Sequence, residues 1–363
     1  MGVARLLGDG PRSGWWSMQQ PRITAAEVER FVDHLARRDR RSAVRQALGL
    51  LAAGASVQDL VEDLLGPAQA EVGRRWEANR WSVADEHAAT AISDAVLAAL
   101  AWRIEAAEDQ GHVVVTCAEG EWHSLPARMV AEVLREHGWL VTFLGASTPA
   151  DHLRRFVDEV GAVAVVVSCS VPIFLSGALR SVQAAQAEGV PVLVGGRAFG
   201  PDDLRARRLG ADAWAPDADA AGRLLGAWRR QPPSVGKLPA GMRDAEPLEL
   251  EAARSELVEA AMSELFLRFP PIAGYSEAQL ARTREDLGYI LQFLEAALLS
   301  DDSRLFLDEF LPWLTGVLTS RGLPSGAVTV GLEALGAVLD AFPRGRELIV
   351  RGRQLAADRA VNG

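Results

Sequence analysis

The pattern of apolar and polar residues changes twice along the chain. Apolar residues recur at helical spacing over residues 23–110, form short unbroken runs over residues 111–230, and return to helical spacing over residues 248–363. Residues 1–22 have no periodicity, and we expect them to form a flexible arm. Residues 231–247 are rich in proline and glycine, which is typical of a linker. The pattern therefore predicts three folded domains of different class.

The first domain is predicted to be a bundle of three helices. A capping-box pattern begins at Thr24, and helical spacing continues through Leu51. A second helix is predicted over residues 57–77. A third begins at Ser82, whose hydroxyl suits a helix N-terminus, and ends near residue 107.

The second domain alternates valine-rich runs with amphipathic helices. Strands are predicted over residues 113–117, 140–144, 162–168, 191–194 and 213–215. Alternation of this kind predicts a doubly wound parallel sheet of the flavodoxin-like type, because its strands are buried on both faces. In such sheets ligands bind beyond the carboxyl ends of the strands.

The third domain is predicted to be all-α. Helices are expected over residues 248–269, 277–300, 303–321 and 325–341, with a last helical segment from residue 345. The fold class is therefore α/β plus all-α.

Composition excludes several classes of function. The chain has 363 residues, of which 49% are hydrophobic, and its net charge of -10 argues against direct nucleic-acid binding. It lacks an apolar run of about 18 residues, so we expect no membrane association. It also lacks a secretory signal pattern at its N-terminus. Its two cysteines fit a reducing compartment, and we expect a cytoplasmic protein.

Candidate chemistry follows three of the predicted strands. The clusters are Glu121-Trp122-His123-Ser124-Leu125 after the first strand, Ser168-Cys169-Ser170 at the end of the third, and Gly195-Gly196 at the end of the fourth. One nitrogen of His123 can bind a metal while Glu121 accepts the proton of the other. The small residues would let the tail of a large cofactor approach the backbone. A surface histidine beside a solvated glutamate is the alternative for the loop alone.

These clusters resemble the cobalamin-binding domain of methionine synthase, corrinoid shuttle proteins and adenosylcobalamin mutases. That domain carries an acidic residue, a histidine two positions later and a glycine, followed by Ser-x-Leu and Gly-Gly. Here Pro126 replaces the glycine and Ser170 the leucine. The resemblance implies that His123 is the lower axial ligand of cobalt. It also implies cofactor contacts for Glu121, Trp122, Ser124, Leu125, Ser168, Ser170, Gly195 and Gly196.

The helical bundle resembles the adenosyl-binding cap of cobalamin-dependent photoreceptor repressors. The resemblance rests on Trp76 followed by the pair Glu86-His87. It implies that all three contact the adenosyl group of adenosylcobalamin. The repressors have a histidine directly after the tryptophan, but this chain has Glu77, which leaves His87 as the candidate upper cobalt ligand after photolysis. A core tryptophan with an exposed Glu-His pair is the alternative.

The C-terminal helices resemble a globin-type sensor domain, and the combination resembles the photocobilins. These proteins hold adenosylcobalamin and biliverdin or a related bilin. No histidine or cysteine follows Cys169, which disfavours a haem and a covalent bilin. Candidate contacts for a non-covalent bilin are Arg268, Tyr275, Arg282, Arg284, Asp286, Tyr289 and Arg321. A helical dimerisation domain without ligand is the alternative.

Together the resemblances imply a light sensor and not an enzyme. Photolysis of the cobalt–carbon bond would alter packing within a light-dependent homo-oligomer, at least a dimer, or signal to an unknown protein effector. The alternative is a corrinoid shuttle protein for methyl transfer, whose upper face must open to partner enzymes.

Overall fold

The computed structural model describes residues 23–236, 245–323 and 326–362. The predicted arm over residues 1–22 and the middle of the predicted linker lie outside these residues. Within the described part of the chain, no helix has the length and apolar character needed to cross a membrane.

The N-terminal bundle has more helices than the sequence pattern predicts. It consists of α1 Ala25–Ala36, α2 Arg40–Ala52, α3 Val57–Asp59, a π-helical turn Leu60–Leu65, α4 Gly66–Glu77 and α5 Val83–Ala101. The stretch predicted to be continuous from Thr24 breaks because Arg38 has a left-handed φ of 57° and Asp39 caps α2 by accepting the N–H of Ser42. The third predicted helix ends earlier than predicted. The predicted capping box at Thr24 and the predicted cap at Ser82 are confirmed, and Asp85 completes a capping box with Ser82.

The middle domain is a parallel sheet of five strands in the order β2-β1-β3-β4-β5, which confirms the flavodoxin-like arrangement. The strands are β1 His112–Cys117, β2 Leu140–Gly145, β3 Ala164–Ser168, β4 Val192–Gly195 and β5 Ala213–Ala215. The helices are α6 Ser124–Glu136, α7 Ala150–Glu159, α8 Leu175–Ala187, α9 Leu204–Arg208 and α10 Ala218–Arg230, with 3₁₀ turns Pro172–Phe174 and Arg197–Phe199. Cys117 pairs with Ser168 and Ser168 with Gly195, so these three strands end together.

The described part of the C-terminal domain is helical, as predicted. Its elements are α11 Glu246–Arg268, a 3₁₀ turn Pro270–Gly274, α12 Glu277–Leu299, a π-helical turn Leu305–Phe310, α13 Leu311–Ser320, α14 Gly326–Val338 and α15 Pro343–Asn362. Its globin-like character stays a prediction.

The sheet is covered on both faces. Alternate strand residues such as Val114 and Val165 join α7, α8 and the C-terminal helices in one apolar core, while Val113 and Val166 pack under α6 and α10. The N-terminal bundle packs against α6. The Glu136 carboxylate, at the end of α6, accepts the backbone N–H groups of Val57 and Gln58 at 2.7 and 2.8 Å. The bundle is therefore fixed to the sheet domain at one end.

Candidate functional site

The loop between β1 and α6 is organised around the buried carboxylate of Glu121, which is 0% exposed. One of its oxygens accepts the backbone N–H and the ring Nδ1–H of His123, at 2.9 and 2.6 Å. The other accepts the backbone N–H groups of Ser170 and Val171, at 2.8 and 3.0 Å. Glu121 thus joins the loops that follow β1 and β3. Its carboxylate accepts every one of these hydrogen bonds from an N–H group, as an ionised carboxylate does.

The pKa values of this pair move in opposite directions. Burial by itself would raise the pKa of Glu121, but the hydrogen bonds and charge of His123 and the Ser170 N–H outweigh it and leave that pKa lowered. The hydrogen bond to Glu121 raises the pKa of His123, against the effect of burial. A smaller effect, the negative charge of Glu86, raises it further.

The hydrogen bond to Glu121 orients the imidazole of His123 so that one ring nitrogen is available to a metal. Because Nδ1 donates to Glu121, Nε2 is the nitrogen that remains for a metal, and the side chain is 59% exposed. Among the described residues, no group of three or more His, Cys, Asp or Glu side chains can hold a metal ion. An exposed imidazole with one free ring nitrogen fits a metal that needs a single protein ligand, such as cobalt held in a corrin ring.

Neighbouring segments fix the position of this loop. The N–H of Ser147, in the loop after β2, donates to the Glu121 carbonyl at 2.9 Å, and the Ser147 hydroxyl accepts the N–H of Gly120 at 3.1 Å. Phe174, in the turn after β3, lies 3.2 Å from the position of a Cβ on Gly120. Three loops at the carboxyl edge of the sheet therefore support the histidine.

The two glycines at the end of β4 are required by backbone packing. Gly196 has a φ of +100°, and a Cβ there would lie 2.3 Å from the Cys169 carbonyl oxygen. A Cβ on Gly195 would lie 2.9 Å from the Ala215 carbonyl oxygen. The sequence-based argument assigned both to cofactor access, whereas contacts within the chain already account for them. Their contact with a cofactor stays a prediction.

The other predicted residues of this edge have different environments. Leu125 is buried and packs in the apolar core of the N-terminal bundle, whereas Trp122 is 73% exposed. Ser168 is buried beside β1. Pro126 lies in the first turn of α6, where the absence of an N–H has no cost, as the sequence predicts.

Both cysteines lie beneath the loop as neutral thiols. Burial, with a smaller effect of the Glu121 charge, raises the pKa of Cys117 to about 12 and that of Cys169 well above its ordinary value. Neither thiol is therefore poised to act as a thiolate ligand or nucleophile at neutral pH.

The predicted pair on the bundle lies in the first turn of α5. The Glu86 carboxylate contacts Nδ1 of His87 and accepts the Thr90 hydroxyl at 3.0 Å. The His87 side chain is 73% exposed. Its assignment as an upper cobalt ligand stays a prediction.

Trp76 lies at the end of α4 and contacts the C-terminal domain. Its ring stacks on that of Trp313, with centroids 6.4 Å apart, and the Arg321 guanidinium lies 4.9 Å from its centroid. Sequence reasoning did not single out Trp313, because a tryptophan in an apolar helix is usually a core residue. It assigned Arg321 to a bilin, whereas the structure places this guanidinium over Trp76.

The remaining bilin candidates do not form one group. Burial raises the pKa of Asp286, and the charges of Arg282 and Arg321 oppose this effect. Arg268 and Arg284 instead pair with Glu264 and Glu259. Tyr275 packs edge-on against Phe269, and Tyr289 is 50% exposed.

Comparison with known families matches the two N-terminal domains. Residues 111–223 match the B12 binding domain, and residues 27–101 match a second family model also described as a B12 binding domain. Two stretches of the chain are therefore similar to cobalamin-binding domains. The matches coincide with the sheet domain and the bundle, and support a cobalamin cofactor.

Two individual proteins are similar to parts of the chain. The HTH-type transcriptional repressor CarH of Myxococcus xanthus is 33% identical over 165 residues, which are 44% of this chain and 54% of the repressor. The chain thus spans about half the length of this curated relative. The monomethylamine corrinoid protein of Methanosarcina barkeri is 19% identical with a TM-score of 0.50, covering 56% of this chain and 98% of that protein. At that identity the likeness concerns the fold alone.

Proposed function

We propose that this protein is a light sensor, not an enzyme, that binds adenosylcobalamin between the sheet edge and the N-terminal bundle. The observation that carries the proposal is the fully buried Glu121 that orients His123 and leaves its Nε2 available. The B12 binding domain matches and the similarity to CarH support it. When bound, the cofactor would supply a cobalt–carbon bond that green light breaks.

Residues of the sheet domain and residues of the bundle would contact opposite sides of the cofactor. His123 would bind cobalt from below, and Glu121 would keep its Nδ1 protonated and its ring fixed. Trp76, Glu86 and His87 would contact the adenosyl side.

A signal would arise from contacts that the bundle makes only in the dark state. If the bundle can pack in two ways, losing those contacts shifts the equilibrium between the two packings. The shift equals the difference between the free energies with which the adenosyl group binds each packing. We propose that the shift changes a homo-oligomer interface or the binding of a protein effector. A non-covalent bilin would be a second chromophore near Arg282, Asp286 and Arg321, where the charges of both guanidinium groups oppose the burial that raises the pKa of Asp286.

The lower ligand is tested with cob(II)alamin and protein labelled with heavy-nitrogen histidine. If an imidazole nitrogen binds cobalt, the superhyperfine pattern in the electron paramagnetic resonance spectrum changes with the isotope. We expect the change in wild type and in the control variant His152→Ala, which removes an exposed histidine of α7. We expect it to vanish in His123→Ala. A pattern independent of the isotope in wild type overturns the assignment of His123.

Light sensing is tested by absorbance of the desalted protein after mixing with adenosylcobalamin and biliverdin, before and after green light. We expect retained corrin bands that change on illumination and a retained red bilin band. Corrin change without the red band removes the bilin from the proposal. The same desalting step is repeated with methylcobalamin in place of adenosylcobalamin. Corrin bands no more light-sensitive than those of free cofactor, together with tighter retention of methylcobalamin than of adenosylcobalamin, overturn the sensor in favour of the methyl shuttle.

A further inference from the structure

The end of α4 is held by residues of the C-terminal domain that lie more than two hundred positions away in the sequence. Trp313 stacks on Trp76, and its Nε1–H donates to the Glu77 carboxylate at 3.2 Å. The Ser320 hydroxyl donates to the Glu77 backbone carbonyl at 3.0 Å. Arg321 places its guanidinium over the Trp76 ring. Stacking, a charged hydrogen bond and a cation–π contact therefore converge on two consecutive residues.

These contacts satisfy groups that a helix end leaves open. The last carbonyl groups of a helix have no hydrogen-bond donor within the helix, and the Ser320 hydroxyl is such a donor to the Glu77 carbonyl. Asn79, two residues further, has a left-handed φ of 53°, and its side-chain amide donates to the Ser320 carbonyl at 3.5 Å. Without the C-terminal domain, the turn that carries Trp76 would lose these restraints and fray more readily.

The same domain also contacts the sheet side of the site. The turn Pro172–Phe174 packs against α12, and it directly follows the Ser170 and Val171 amides that bind Glu121. Phe174 in turn lies against Gly120. The C-terminal helices therefore hold the turn carrying Trp76 in a fixed relation to the loops carrying His123.

We propose that Trp313 and Arg321 are positioning residues for Trp76, and that through them the C-terminal domain sets how well the site discriminates between upper ligands of cobalamin. The inference rests on the proposed function, because it takes Trp76 as part of the wall that faces the adenosyl group. Linkage requires the reverse effect as well, so an adenosyl group on Trp76 stabilises the contact with Trp313.

The test compares dissociation constants for adenosylcobalamin and hydroxocobalamin in the full-length protein. Trp313→Ala is expected to weaken adenosylcobalamin binding on the order of tenfold while hydroxocobalamin changes by less than about twofold. Trp313→Phe, which keeps an aromatic ring but cannot donate to Glu77, should lie between. Trp102→Ala removes a tryptophan that is 89% exposed at the end of α5 and should alter neither constant.

A purely structural role of Trp313 would weaken both ligands together, so an unchanged ratio of the two constants overturns the inference. Amide hydrogen exchange of residues 76–80 in the ligand-free protein gives a second readout. Exchange there should be faster in Trp313→Ala and in Trp313→Phe than in wild type and in Trp102→Ala. Wild-type protein that binds no adenosylcobalamin overturns the proposed function, and equal exchange in all four proteins overturns the positioning role independently.

Discussion

The C-terminal domain contacts both the sheet domain and the N-terminal bundle, but the first contact is buried and the second is half-exposed. On the sheet side, Arg205 of α9 is 0% exposed and donates to Asp302 at 3.0 Å and to the Ala198 carbonyl at 3.1 Å. Glu309 forms a second ion pair with it. On the bundle side, Trp313 is 36% exposed and Trp76 is only half-buried.

The difference in burial predicts which attachment can open. Separating the sheet-side contact would break a buried ion pair and expose the apolar core that the sheet shares with the C-terminal helices, whereas separating the bundle-side contact exposes groups that are already half in water. Elements that move are drawn from the less stable contacts of a fold. We therefore expect the C-terminal domain to stay with the sheet and the bundle to be the part that changes its contacts.

The largest effect is expected for Arg205→Met. Removing this guanidinium leaves Asp302 buried with Arg304 as its remaining partner, and should lower the free energy of unfolding by about 3 kcal/mol. Urea denaturation measures the change. The matched control is Arg207→Met on the same helix, where an exposed pair with Asp203 predicts a change of less than about 0.5 kcal/mol. Equal effects of the two substitutions would break the comparison.

A smaller effect is expected from acid. Burial alone would raise the pKa of Asp302, but hydrogen bonds and charges from Arg304 and Arg205 outweigh it and lower that pKa. Its stabilising contribution is therefore complete above the ordinary aspartate pKa and is lost as pH falls through the lowered value. The difference in unfolding free energy between wild type and Asp302→Asn should shrink from about pH 6 to about pH 3. A constant difference would contradict the buried ion pair.

The smallest effect is expected on the bundle side. Arg321→Met removes the cation over Trp76 but keeps an apolar side chain, so the free energy of unfolding should fall by about 0.5 kcal/mol. The same urea experiment measures it beside Arg205→Met. If Arg321→Met lowers the free energy of unfolding as much as Arg205→Met does, the two contacts are equally stable and the bundle is not the weaker of the two attachments.

The sequence predicts the sheet and its edge well because the signals are local. The strands β1, β3 and β4 are valine-rich runs. Glu121 and His123 are two residues apart, so their hydrogen bond follows from the loop itself. The break at Arg38 was missed, although Asp39 and Ser42 form a capping pattern that marks a new helix.

The environment of Trp76 could not be predicted in this way. Its partner Trp313 lies in another domain, and nothing in the spacing of either tryptophan identifies the other. The same holds for Gly196, whose backbone approaches the Cys169 carbonyl only after β3 and β4 pair. Contacts that depend on domain docking or strand pairing are set by the whole fold.

Hydrogen exchange of the full chain with adenosylcobalamin, measured in the dark and after green light, distinguishes a bundle that moves from one that does not. We expect residues 76–87 to lose protection in the light, because the bundle gives up its contacts with the adenosyl group and with Trp313. We expect unchanged protection in α9, which carries Arg205. Light-independent exchange in residues 76–87, or an equal loss of protection in α9, would overturn the proposed light response.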